Sequence, residues 1–239
     1  MLVTERKVAI FRVKEYWSCD NPFDVSDCDS VTFMACKDEV DIKGFKRTGF
    51  TTLILDLTKS LDEIWHGFSK KSCQYEIKRA ERDGVSVKLS TGHEVFHELN
   101  KVFRKRKGLS GNISIDYMQK YCTLFLAGIK GEIVAGQLYL EDKDNIRWLT
   151  GASKRLESDN VLIGCANRAL IWEAIKYAKD KGIKEFDFGG YHTGDNPELK
   201  AINFFKESFG GELVTRYTYQ KNYSKLFSLA QKLKKIIVR

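Results

Sequence analysis

Apolar residues recur along this chain at two spacings, every second residue in some stretches and every third or fourth in others. Alternation between these periods predicts strands interleaved with amphipathic helices. Residues 31–36 and 50–57 (Phe-Thr-Thr-Leu-Ile-Leu-Asp-Leu) are rich in apolar and β-branched residues and read as strands, while 18–30 read as an acidic loop. Ser60, with Glu63 three residues on, forms a capping box that opens a helix. Helical character continues through Ile64, Phe68, Ile77 and Ala80 to Gly84, with a break near Ser72. Val85–Leu89 reads as a strand. Thr91 and Glu94 predict a second capping box, followed by a stripe of Val95, Phe96, Leu99, Val102 and Phe103 that backs onto Lys101, Arg104, Lys105 and Lys107.

The spacing predicts a helix over 114–128. Ile133–Leu140 and Ile146–Thr150 read as a hairpin joined by the acidic turn Glu141–Asn145. Leu162, Cys165, Ala166, Ala169, Trp172 and Ile175 then give the longest helical signal, stopped by Gly182. Glu185–Phe188 is a short apolar strand that runs into Gly189 and Gly190. Its apolar character on both faces predicts an interior place in the sheet. Asn196-Pro197 reads as an N-cap with proline at the first helical position, opening a helix that runs to Phe209 and stops at Gly210-Gly211. Leu213–Tyr219 is a strand. Residues 222–238 read as a basic amphipathic helix with Tyr223, Leu226, Phe227, Ala230, Leu233 and Ile237 on one side, expected to pack on the body. This order defines an α/β (α+β) layer fold with a mixed sheet.

Composition narrows the class. Of 239 residues, 43% are hydrophobic, enough to build a core and to exclude a disordered chain. The apolar runs are too short to cross a bilayer, and no apolar leader follows Met1, so the expectation is a soluble, cytoplasmic protein. Six cysteines show no Cys-x-x-Cys spacing, and the four histidines flank none of them at ligand spacing. No metal site is expected, and the thiols read as reduced, buried small residues. The formal charge of +8 is uneven. Residues 70–107 carry 11 basic and 5 acidic side chains, and 216–239 carry 7 basic and none acidic. Two basic segments on a mildly acidic body suit an anionic partner: a pyrophosphate, a tRNA backbone or anionic lipid.

Residues 182–214, Gly-Ile-Lys-Glu-Phe-Asp-Phe-Gly-Gly…Phe-Phe-Lys-Glu-Ser-Phe-Gly-Gly-Glu-Leu, resemble the Fem-type branch of the GNAT acyltransferase superfamily, the FemA/FemX-like aminoacyltransferases and their acetyltransferase relatives. Trp148-Leu-Thr-Gly-Ala-Ser153, Trp172–Ala178 and, more loosely, Tyr75–Ala80 are similar to it as well. The resemblance implies a GNAT-like mixed, twisted sheet over residues 91–239 with a reduced N-terminal unit over 1–90. It implies that two central strands splay and hold the acyl donor in the gap. It further implies that Lys206, the lysine of Phe-Lys-x-x-Phe-Gly, stabilises the oxyanion formed when an amine attacks the donor carbonyl. A lysine flanked by Phe204, Phe205 and Phe209 is also a candidate on chemistry alone, because desolvation strengthens its effect on a nearby anion. Its plainer reading is a side chain snorkelling from a packed helix to solvent.

Two departures from the family pattern bear on the donor. The glycine-rich pyrophosphate loop is reduced to Asp159-Asn160-Val161-Leu162-Ile163-Gly164, where only the last glycine survives. The tyrosine often used as general acid is replaced in Ala201-Ile-Asn-Phe204-Phe205. Coenzyme A binding is therefore expected to be weak, at a helix N-terminus over 160–164. The donor is either acyl-CoA or aminoacyl-tRNA, with no tightly bound cofactor. Asn160, Gly164, Ser153 and Phe205 are the candidate donor contacts; Lys78, Arg79, Trp148 and Tyr191 are candidate substrate contacts. Asp187, at the end of a buried strand, serves either as a base or as an acceptor for backbone N–H groups. His192 is the remaining base candidate near neutral pH. The acceptor is an amine on a small molecule, an amino sugar or a cell-wall precursor. The competing readings are a non-catalytic GNAT-like module holding nucleic acid or a nucleotide-linked ligand, and a peripheral membrane protein docked through 222–239. If Lys78, Arg79, Arg82, Arg104, Lys105 and Arg106 shared one face, tRNA would be the better donor.

Overall fold

The computed structural model describes residues 1–155 and 160–237. In chain order the elements are β1 (Leu2–Val8), β2 (Phe11–Trp17), β3 (Ser30–Cys36), β4 (Lys46–Asp56), α1 (Leu61–Gly67), a π-helical turn (Lys70–Gln74), α2 (Tyr75–Arg82), β5 (Val85–Ser90), α3 (His93–Arg106), α4 (Ile115–Tyr121), β6 (Cys122–Ile129), β7 (Glu132–Glu141), β8 (Asn145–Ser153), α5 (Asn160–Asp180), β9 (Glu185–Gly190), α6 (Pro197–Glu207), β10 (Glu212–Asn222) and α7 (Lys225–Ile237). They form two compact units, one of residues 53–213 and one of residues 1–52 with 214–239. The expected division at residue 90 falls inside the larger unit, because β5 pairs along its length with β6 and α2 packs on α5.

In the larger unit the strand order is β4-β9-β8-β7-β6-β5, a mixed sheet with helices on both faces. Strands β5 to β8 are antiparallel neighbours, and β8 and β9 are parallel. β9 is interior, as its two apolar faces predict: Phe186 and Phe188 are both buried. Alternation along β6 sends Phe125 and Ala127 towards α5 and α2, and Leu124 and Leu126 towards α3 and α4. The larger core lies under α5, where Ala166, Leu170, Ile171, Ala174 and Ile175 are buried.

Most boundaries follow the sequence reading. Ser60 caps α1 with the full reciprocal box, Asn196 caps α6 by accepting from Glu198 and Leu199, and Gly182 follows α5 at φ +74°. Four expectations in this unit are corrected. The predicted helix 114–128 ends at Tyr121, and Cys122–Ile129 is a strand, because that apolar run lies between β5 and β7 and is buried on both faces. Thr91 and Glu94 form no capping box: Gly92 is the N-cap, its N–H donates to Ser90 Oγ, and the Glu94 carboxylate accepts from Gln119. Of the apolar stripe on α3 only Phe96 and Leu99 are deeply buried, beside the buried His93 and Asn100, with Val95 and Val102 turned to solvent. The helical break falls at Phe68–Ser69, and Ser72 lies inside the π-helical turn.

The smaller unit has the strand order β1-β2-β3-β10. β1 and β2 form an antiparallel hairpin that the period-two reading misses. Its faces are knit by ion pairs, Arg6 to Glu15 and Lys14 to Asp27, rather than by an apolar stripe. Phe33, Cys36 and Tyr219 form its core, and the free thiols of Cys19 and Cys36 lie 3.1 Å apart. α7 does not bury its apolar side as expected. Phe227 packs on Phe11, but Leu226, Leu229 and Leu233 are exposed. The side chain of Ile237, and Val238 altogether, lie outside the described residues. No helix among the described residues is long and apolar enough to cross a membrane.

Candidate active site

The larger unit holds a cleft of about 680 Å³. It lies along the part of β8 that runs on past its pairing with β9. Their parallel register runs from Asn145↔Glu185 to Arg147↔Asp187, yet β8 continues to Ser153 and β9 to Gly190. Beyond Arg147 and Asp187 no further register partners join the two strands among the described residues. Trp148, Gly151, Ala152 and Ser153 of β8 line one wall, Gly164 and Asn167 of α5 a second, and Ala201, Ile202 and Phe205 of α6 a third. The lining is largely apolar, with Gln137 at depth. Lys107 and Glu198 pair across 3.5 Å at the rim.

The end of β9 sets the site's electrostatics. Gly189 takes φ +77°, and a Cβ there would lie 3.3 Å from the Trp148 carbonyl oxygen, so this close approach of β8 calls for glycine. Asp187 is buried, accepts from the Gly189 N–H at 2.7 Å and pairs with Arg147. It is thus a backbone acceptor and counter-ion, with both carboxylate oxygens engaged. Lys206 is 6% exposed. It donates to the Gly190 carbonyl at 2.6 Å and, more weakly, to that of Gly189 at 3.4 Å. Its Nζ stands 5.8 Å from the centre of the Trp148 ring, the ring that lines the cleft. Burial pulls its pKa down to about 8; nearby Asp187 opposes that shift and Arg147 reinforces it. The plainer sequence reading put Lys206 at the solvent, and Lys206 is not among the residues that line the cleft. The lysine is instead buried, because Phe209 behind it is wholly enclosed and draws the end of α6 onto Phe188 and Phe68.

The other candidates divide. Gly164, Ser153, Phe205 and Trp148 line the cleft together. Asn160 opens α5 and is exposed, and Asp159 lies outside the described residues. His192 is built into its own loop: its N–H donates to Asn203, its carbonyl accepts from Asn203, and its Nε2 lies 3.4 Å from the Asn196 N–H that donates to it. Tyr191 donates to Glu207, a bond that holds its phenol above the ordinary pKa. Lys78 stands over Trp65 in a separate cavity of about 430 Å³, and Arg79 is paired with Asp83, so neither meets the cleft. The six basic residues of α2 and α3 do not share a face either. α2 packs in the layer with α5, and α3 packs on the opposite side of the sheet.

Several site residues carry no local signal in the sequence. Arg147 faces Asp187 across 40 positions, and Arg168 faces Glu76 across 92. Arg168 is 8% exposed, its guanidinium sits 4.6 Å from the centre of Phe205, and it fixes the ring that lines the cleft. Gln137 is wholly buried, donates to the Asn167 carbonyl and accepts from Tyr139.

A mixed sheet with β8 and β9 parallel, and a cleft walled by β8, the long helix α5 and the lysine-bearing helix α6, are consistent with a GNAT-type fold. The chain belongs to the acetyltransferase (GNAT) domain family, which it matches over residues 68–200. Among solved structures it is similar to FemX, at 17% identity and a TM-score of 0.69, covering 95% of this chain and 85% of that one. It is also similar to L-PGS from Bacillus licheniformis, at 18% identity and a TM-score of 0.54, covering 87% and 73%. A third similar structure is the C-terminal domain of a putative lysylphosphatidylglycerol synthetase from Agrobacterium fabrum, at 14% identity and a TM-score of 0.57, covering 81% and 68%. At these identities the likeness is one of fold. No curated protein sequence matches the chain.

Proposed function

We propose that the protein transfers an acyl group from an acyl thioester, of the acyl-CoA kind, to the nitrogen of an amine acceptor. The observation that carries this reading is the cleft itself, which is walled by β8, α5 and α6 and is open rather than filled by side chains. A filled cleft would have favoured a non-catalytic binding module. The donor's carbonyl sits against the ends of β8 and β9, its arm follows the apolar walls, and its anionic end lies towards the start of α5. The amine attacks the carbonyl carbon, the thioester oxygen becomes an oxyanion, and collapse breaks the C–S bond and expels the thiolate, which takes up the proton that the amine nitrogen gives up. Lys206 supplies the positive charge that this oxyanion needs. Asp187 and Arg147 act as positioning residues that fix the Gly189–Gly190 turn to which Lys206 is anchored. Aminoacyl-tRNA is the poorer donor, because the basic residues of α2 and α3 lie on opposite sides of the sheet.

The test is a transfer assay read by mass spectrometry. Acetyl-CoA and charged tRNA are offered as donors to a panel of amino sugars, stem peptides and small amines. Acetylation of at least one amine, lost with Lys206→Met, supports the proposal. Transfer from charged tRNA alone would overturn the donor, and no transfer from either would overturn the activity.

A further inference from the structure

The β1–β2 hairpin has a turn that no ordinary hairpin rule explains. Val8 pairs with Phe11, so Ala9 and Ile10 alone make the turn, and Ala9 is held at φ +55°. Two-residue hairpin turns favour asparagine, aspartate or glycine, which enter the left-handed region at least cost. Here the tip reads Val8-Ala9-Ile10, and Ile10 is 84% exposed. An apolar, β-branched side chain at the most solvent-exposed point of a hairpin gains nothing in water. Of the four basic residues that flank it, Arg6, Arg12 and Lys14 are paired with Glu15, Glu5 and Asp27, and Lys7 stands exposed beside the tip.

A second feature of the same unit lies beside it. Phe11, next to the tip, meets Phe227 of α7 at 5.1 Å between ring centres. With Phe227 committed to the hairpin, Leu226, Leu229 and Leu233 recur at helical spacing on the uncovered side, and Leu226 is 69% exposed. The surrounding segment 216–239 carries seven basic residues and no acidic one. An apolar helical stripe within a segment whose only charges are basic, beside an exposed apolar hairpin tip, fits a surface that is apolar inside and anionic at its face.

We infer that this unit docks on anionic lipid bilayers, with Ile10 and the α7 leucines entering the acyl boundary and the lysines and arginines meeting the headgroups. Charge complementarity selects lipid over a second copy of the chain, since two such surfaces repel each other. The inference does not depend on the transfer reaction.

The experiment is co-sedimentation of the full chain with vesicles of phosphatidylcholine, alone or mixed with phosphatidylglycerol. Binding is expected to the mixed vesicles, to be weak on phosphatidylcholine alone and to fall as salt is added. Ile10→Asp and Leu226→Glu should each weaken binding by about tenfold or more, from the transfer free energy of one buried aliphatic side chain. Both positions are exposed, so the melting temperature should hold. In an Ile10→Trp variant the indole emission should shift to the blue on mixed vesicles. No sedimentation with mixed vesicles at low salt would overturn the inference. So would equal binding to both vesicle types, or a dimer in light scattering that the same substitutions abolish.

Discussion

Lys206 is a cation held where water scarcely reaches. Its pKa is lowered from 10.5 to about 8, chiefly by burial. Between those values the unfolded chain binds a proton that the folded chain does not, so the burial penalty is felt in full below about pH 8 and stability rises as pH increases through the window. Oxyanion stabilisation needs the cation, so turnover moves the other way and falls as pH passes about 8. A pH–rate profile set beside thermal melts over the same range should show these opposite slopes, and Lys206→Met should remove both. That substitution should lower turnover by about 10²–10³, the usual cost of one oxyanion donor. Asp187 gives a contrasting case. Its carboxylate is spent on Arg147 and the Gly189 N–H, so Asp187→Asn should destabilise the fold by about 3–5 kcal/mol in urea titrations, as expected for breaking a buried pair. A collapse of turnover with no loss of stability would instead make it the base. The Phe-Lys-x-x-Phe-Gly stretch pointed to Lys206 because a motif is local. Arg147, Arg168 and Gln137 were silent because their partners are fixed only by strand and helix packing.

Among the elements, helices with punctuation were the legible ones. Ser60 with Glu63, Asn196 with Pro197, and Gly182 each state a boundary in chemistry that acts within a few residues. The run Cys122–Ile129 has no such signal. An apolar stretch buried on both faces shows neither period two nor period 3.6, and only its pairing to β5 and β7 makes it a strand. β1 and β2 were illegible for the opposite reason, since charged pairs occupy the positions that an apolar stripe would mark. Two substitutions probe how the elements hold α6 against the sheet. Asn196→Ala should cost about 1 kcal/mol through loss of its cap. Gly211 follows α6 at φ +96°, and a Cβ there would lie 2.6 Å from the Ile54 carbonyl oxygen. Gly211→Ala should therefore lower the melting temperature more than Asn196→Ala does, a ranking that calorimetric scans can check directly.

For the molecule as a whole, the account stands on the cleft walled by β8, α5 and α6 being the seat of the acyl donor. Ala201 lines that cleft from an exposed position on α6, so Ala201→Trp should fill the gap without disturbing the core. Calorimetric titration of acetyl-CoA into the parent protein and into Ala201→Trp tests the claim at its root. The account predicts saturable binding by the parent protein, and its loss in the variant at an unchanged melting temperature. Equal binding by both proteins, or none by the parent, would contradict it.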